Sequence, residues 1–178
     1  MKWGFHGNKY CREVMKLMLA LHGVMDGPGN SALFKRVLIV CIGNICRSPT
    51  AESLLRGALS RCDIKVSSAG IAALVGKPIE STARALLEAH GHPAVEHQAI
   101  QLEPQAISEA DLILVMERQH ISAVLSMAPE ARGKVLLLGK WQNEREISDP
   151  YRQGKAAFVH AYALIEEAVN AWAQRLAR

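Results

Sequence analysis

At 178 residues and 49% hydrophobic composition, the chain is long enough for one globular domain with a substantial core. Its net charge of +4 comes without a Lys/Arg block, which argues against nucleic acid as a partner and suits the steering of a small dianion. Cysteines at 11, 41, 46 and 62, with no Cys-x2-Cys pair and no histidine cluster, exclude a disulfide framework and a zinc site as organising features; no metal and no cofactor is expected.

Residues 1–34 are expected to be an N-terminal extension and linker, a candidate for disorder, ahead of a domain over 35–178. Lys2, Lys9, Arg12 and Lys16 against Glu13 and Asp26 supply +2 of the net charge. The apolar run Leu17 to Leu21 is too short to span a bilayer, and no clear cleavage site follows it, so no stable membrane insertion is expected. A surface amphipathic helix here and a chain start at Met25 are both open readings. Asp26 to Asn30 is linker by composition.

From Arg36 the chain alternates strand and helix patterns. Arg36 to Val40 reads as a buried strand. Ala51, Leu54, Leu55, Ala58 and Leu59 follow i, i+3, i+4, i+7, i+8 spacing and predict one buried helix face, in a helix starting at Pro49 with Ser48 as its N-cap. Ile64 to Gly70 reads as a second strand. Ser81 to His90 is a helix with Ala83, Leu86 and Leu87 inward, stopped by Gly91. Asp111 to Met116 and Lys134 to Leu138 are continuous apolar runs, as in strands covered on both faces. A polar loop over 139–154 leads to a long helix whose apolar face is Phe158, Tyr162, Ile165, Val169, Trp172 and Leu176. His120, His160 and the tryptophans read as packing or surface residues. The alternation predicts an α/β fold, a single domain with a parallel sheet and helices on both faces.

In such a sheet ligands bind beyond the carboxyl ends of the strands, where Cys41-Ile-Gly-Asn-Ile-Cys-Arg-Ser48 lies. The loop runs into a helix N-terminus, and Gly43 and Asn44 tolerate left-handed backbone, so its N–H groups can form an anion-binding nest. Arg47 adds a planar charged fork for phosphate oxygens. The positive potential there favours Cys41 as a thiolate nucleophile. A cysteine closing an apolar strand is often only a small buried hydrophobe; strand, Gly-Asn, Cys-x5-Arg-Ser and a Pro-started helix together outweigh that reading.

Val40-Cys41-Ile-Gly-Asn-Ile-Cys-Arg47-Ser48-Pro-Thr-Ala-Glu52 resembles the signature of the low-molecular-weight protein tyrosine phosphatases. Ser68-Ala-Gly, His97-Gln-Ala, Asp111 to Glu117 and Asp149-Pro-Tyr151 follow in that family's order, so the resemblance covers roughly residues 35–177. Gly139-Lys-Trp141 through Tyr151 is similar to the bacterial members that serve exopolysaccharide tyrosine kinases. The resemblance implies four parallel strands and hydrolysis of phosphotyrosine through a cysteinyl-phosphate, with Cys41 as nucleophile, Arg47 on the phosphate and Asp149 as general acid. The residues alone do not rank Asp149 above Glu144 or Glu146. Ile42, Gly43, Asn44, Ile45, Cys46 and Ser48 would form the phosphate loop, Ser48 also steadying the thiolate unless it serves only as a cap. Asn44, Ser68 and His97 would form the network behind the loop, although by residue type each reads equally as a turn, strand-edge or surface group. Ile42, Leu74 and Tyr151 would wall the cleft.

Ile100 stands where many members have arginine, which removes a peripheral salt bridge. The expected partner is a phosphotyrosine protein such as a bacterial tyrosine autokinase, and the expected location the cytoplasm, where a thiolate stays reduced. Competing readings are arsenate reductase, for which Cys11 and Cys62 lack the late paired placement, and protein-arginine phosphatase, whose members carry threonine where Ile45 stands. A phosphoprotein-binding module without turnover is disfavoured by the joint presence of Cys41, Arg47 and Asp149.

Overall fold

A computed structural model of the protein describes residues 34–92 and 96–177. The readings made for residues 1–33, including Cys11, lie outside them; Phe34 packs against the core. Strands β1 (Arg36–Cys41), β2 (Lys65–Gly70), β3 (Leu112–Val115) and β4 (Val135–Leu137) form one parallel sheet in the order β2-β1-β3-β4. The helices among the described residues are α1 (Arg47–Ala58), α2 (Ser81–Ala89), α3 (Pro104–Glu109), α4 (Arg118–Met127) and α5 (Lys155–Leu176), with a 3-10 turn over Pro129–Ala131.

The strand pleat divides the core in two. Val37, Ile39 and Cys41 of β1 face Leu54 and Leu55 of α1, Leu87 of α2 and Phe158 and Ile165 of α5. Leu38 and Val40 face Ile107 of α3 and Val124 of α4. With both faces covered, the strands lose the apolar–polar alternation of a half-exposed sheet and read as unbroken apolar runs. β1 is flanked by β2 and β3, so the segment that ends at Cys41 is held on both edges as well as both faces.

Two expectations change. Helix α1 begins at Arg47 rather than Pro49, with Cys46 as N-cap and no side-chain cap. The Thr50 N–H and hydroxyl both donate to the Cys46 carbonyl, at 3.2 and 2.8 Å, and close the first turn two residues early. Pro49 then sits third in the helix, where its missing N–H is still among those with no intrahelical partner. Ala58 is exposed, the inward face ending at Leu55 and Leu59. Helices α3 and α4 are additions to the sequence reading: α3 buries Ile107 alone, while α4 packs partly buried Ile121, Leu125 and Met127 beside buried His120 and Val124.

Gly70 stands opposite Cys41 in the β1–β2 register. A Cβ there would lie 2.5 Å from the Ile42 carbonyl oxygen and 3.0 Å from Ala73 Cα. Both neighbours are backbone, so the close approach of the two segments requires glycine. Gly70→Ala should destabilise the protein by about 1–3 kcal/mol, as overpacking does. Urea unfolding measures it, and an unchanged midpoint would show that the 42–46 loop yields freely.

Candidate active site

The 42–46 loop leaves the end of β1 with its carbonyls turned outward. Cys41 O accepts from Ile71 N at 2.9 Å, Ile42 O from Ala72 N at 3.0 Å, Gly43 O from Leu74 N at 3.0 Å and Ile45 O from Glu80 N at 2.8 Å. Asn44 O accepts from His97 Nε2 at 2.7 Å, which places the ring proton on that nitrogen. Across a trans peptide the next N–H points opposite to the carbonyl, and the described chain has no cis bond. The N–H groups of Ile42 to Cys46 are therefore turned to the inner side of the loop. Asn44 N–H reaches Cys41 Sγ at 3.3 Å. Asn44 makes the curl with a φ of 53°, a left-handed conformation that asparagine tolerates better than most residues.

The Asn44 amide is fixed by all of its bonds. Its Oδ1 accepts from Ile100 N at 2.8 Å, and its Nδ2 donates to Ser48 Oγ at 2.8 Å and Ser68 Oγ at 2.9 Å. Ser68 in turn donates to Glu52 Oε2 at 2.5 Å. Because Ser48 Oγ already accepts from Asn44, its own hydrogen is available to Cys41 Sγ, 3.0 Å away. A thiolate at Cys41 thus has two donors, one hydroxyl and one backbone N–H. Ser48 is used on the sulfur and not as a cap. Ile100 contributes its backbone while its side chain is exposed, so losing an arginine there leaves the network intact. Gln101 braces the outer segment, accepting from Ala73 N at 3.0 Å and donating to Ile71 O at 2.8 Å.

Arg47 is 1% exposed and multiply held. Its Nη1 donates to Glu117 and, at 2.9 Å, to Ile147 O; its Nη2 donates to Asp149 Oδ2 at 2.7 Å. A buried guanidinium needs such partners, since breaking a buried pair costs about 3–5 kcal/mol. Its Nε–H is buried without a hydrogen-bond partner among the described residues. Burial works to raise the Glu117 carboxyl, but the hydrogen bond and charge of Arg47, with Gln119 and His120, hold it below the ordinary 4.5. Burial, and then the charges of Asp149, Cys41 and Glu80, push the Cys46 thiol well up, so it stays protonated.

A cleft of about 170 Å³ opens over Cys41 and Arg47, with Asp149 also in its lining. Ile42, Ile45 and Ala72 line its sides, and Leu74 and Tyr151, both exposed, stand at its mouth. Asp149 Oδ1 accepts from Tyr151 N at 3.2 Å, which ties the carboxylate to the wall residue. Every site residue expected from the sequence lies in this cleft or in the network beneath it. Glu117, Glu52 and Gln101 received no role from the sequence. Glu117 lies two residues past β3, at the carboxyl end of the sheet, and that position was the available signal. Among the described residues no group of three or more His, Cys, Asp or Glu side chains could hold a metal ion.

Residues 36–178 match the family model described as low molecular weight phosphotyrosine protein phosphatase. The chain is 46% identical over 144 residues to the low molecular weight protein-tyrosine-phosphatase Wzb of Salmonella typhimurium, covering 81% of this chain and 95% of that one. Among solved structures it is similar to Vibrio vulnificus Wzb in complex with benzylphosphonate, with a TM-score of 0.77 and 48% identity over 80% of this chain and 99% of that chain. It also resembles the YwlE arginine phosphatase of Geobacillus stearothermophilus, with a TM-score of 0.75 and 30% identity over 80% of this chain and 92% of that chain. Cleft, loop and sequence agree, and the chain belongs to the low molecular weight phosphotyrosine protein phosphatase family.

Proposed function

We propose that the protein hydrolyses phosphotyrosine in a protein substrate through a cysteinyl-phosphate on Cys41. The observation that carries this is the sulfur at the centre of the loop, 3.0 Å from Ser48 Oγ and 3.3 Å from Asn44 N. Around it the inward N–H groups and Arg47 provide donors for the three equatorial oxygens of a transferring phosphoryl group. Sγ attacks phosphorus, an S–P bond forms and the P–O bond to tyrosine breaks. A tyrosine oxygen has a pKa of ~10 and leaves as the phenol if Asp149 gives it a proton. Water then attacks the cysteinyl-phosphate, Asp149 takes a proton from it, and Ser48 donates to the departing sulfur.

The substrate we favour is a bacterial tyrosine autokinase of exopolysaccharide production, met in the cytoplasm. The similarity to the protein-tyrosine-phosphatase Wzb supports a tyrosine-phosphorylated protein as substrate. Among the described residues no helix is long and apolar enough to cross a membrane.

The arginine phosphatase likeness makes phosphoarginine the alternative. Ile45 is buried in the cleft wall and offers a guanidinium no polar partner. A flat aromatic ring suits the walls of Ile42, Ile45, Leu74 and Tyr151, whereas a guanidinium would find no polar partner at Ile42, Ile45 or Leu74. Benzylphosphonate, a ring carrying a phosphonate, is the ligand of the Vibrio structure.

Two measurements test these assignments. Cys41→Ser should abolish turnover of a phosphotyrosine peptide, while Asp149→Asn slows it by ~10²–10⁴-fold, with a smaller loss for aryl phosphates whose leaving groups are more acidic. Equal losses along the leaving-group series would give Asp149 a structural role instead. In the second, kcat/KM for phosphotyrosine should far exceed that for phosphoarginine, and Ile45→Thr should narrow the gap. Efficient phosphoarginine hydrolysis by the unaltered protein would overturn the substrate assignment.

A further inference from the structure

His120 on α4 is 1% exposed, and neither ring nitrogen has a hydrogen-bond partner among the described residues. A buried polar group left in that state is costly compared with an apolar side chain of the same shape. One acceptor lies just out of reach: Nε2 is 3.7 Å from Glu117 Oε1. That oxygen is the one held by Arg47 Nη1, while Oε2 accepts from Gln119 Nε2 at 2.8 Å. Glu117 Oε1 therefore stands between a guanidinium and an imidazole. A shift of roughly half an ångström would bring it to hydrogen-bond range of the ring.

We propose that His120 is a positioning residue for Arg47, its Nε2–H taking up Glu117 Oε1 as a phosphate ester draws the guanidinium toward the loop. The inference rests on reading Arg47 as the phosphate-binding group. A dianion among the loop N–H groups competes with Glu117 for Arg47. The carboxylate then remains buried with less of its counter-charge and requires another donor. His120 is placed to be that donor. The charged groups around the ring are Arg47, Glu117, Asp149 and Glu146. Burial first, and then the Arg47 charge, hold the imidazole below its ordinary 6.5. A neutral ring supplies one N–H without adding a cation beside Arg47.

The test reads competitive inhibition by inorganic phosphate and the kinetics of an aryl phosphate. His120→Phe removes the donor and keeps a ring; His120→Gln keeps an N–H. Losing one hydrogen bond to a charged group, His120→Phe should weaken phosphate inhibition and raise KM by ~10-fold, with a smaller change in kcat. His120→Gln should recover most of that loss. In a Glu117→Gln background the effect of His120→Phe should disappear, because the two substitutions act on one interaction. Equal phosphate affinities for the Phe and Gln variants, or an undiminished Phe effect without the carboxylate, would overturn the proposal. Should the variants fail to fold, the ¹⁵N-labelled imidazole of the unaltered protein decides it: its Nε2–H resonance should move downfield at saturating phosphate, and a stationary resonance would reject the role. If the unaltered protein binds no phosphate, the phosphatase reading itself falls and this inference with it.

Discussion

The outward turn of the Cys41 to Ile45 carbonyls is the constraint on which the site depends. Each is anchored by a group from elsewhere in the chain: Ile71, Ala72, Leu74, Glu80 and His97. Peptide planarity converts those anchors into inward N–H donors, so the anion site is built from the segments that surround the loop as much as from the loop itself. This accounts for the close approach at Gly70, for the two hydrogen bonds through which Gln101 steadies 71–73, and for the burial of Asn44. None of these groups reacts. All of them fix the direction of the donors that the proposed reaction would use, which is how electrostatic preorganisation avoids a reorganisation cost during reaction.

Arg47 faces a different problem, a permanent charge removed from water. The fold surrounds it with Glu117 and Asp149, one following β3 and the other on the loop before α5. The two carboxylates differ in surroundings. Glu117 is the more enclosed and is tied to Gln119 as well; Asp149 is half-exposed beside Tyr151 at the open side of the cleft. Of the two, Asp149 is the one at the open side, where the proposed proton exchange with a leaving group or with water would pass.

The sheet was legible in the sequence because a doubly covered parallel strand leaves an unmistakable apolar run, and the loop because Gly-Asn, Cys-x5-Arg and a following proline coincide at a strand end. What escaped was whatever depends on a partner remote in the chain. Arg47 and Glu117 are 70 positions apart, and Ser68 on β2 donates directly to Glu52 on α1, 16 positions away. A glutamate alone carries no sign that it will be buried against an arginine. The early start of α1 was hidden for a related reason: Ser48 has the chemistry of a cap, and only the position of Cys41 Sγ and Asn44 shows its hydroxyl engaged elsewhere. Helix α3 was missed because its buried face is a single residue, Ile107; α4 does carry helical spacing at Ile121, Val124 and Leu125, but a short polar-rich stretch after a strand reads as readily as a loop.

Recognition of the anion by backbone has an evolutionary corollary. The donors at Ile42, Gly43, Ile45 and Cys46 belong to the main chain, so replacing those side chains leaves the N–H groups in place provided the outer carbonyl anchors persist. The walls of the cleft at Ile42, Ile45, Leu74 and Tyr151 are thus free to drift while the phosphate cradle stays constant. Such a protein separates two heritable traits, the capacity to handle a phosphoryl group and the choice of what carries it. A lineage can exchange one cargo for another by altering a few apolar side chains, without passing through an ancestor that has lost the chemistry.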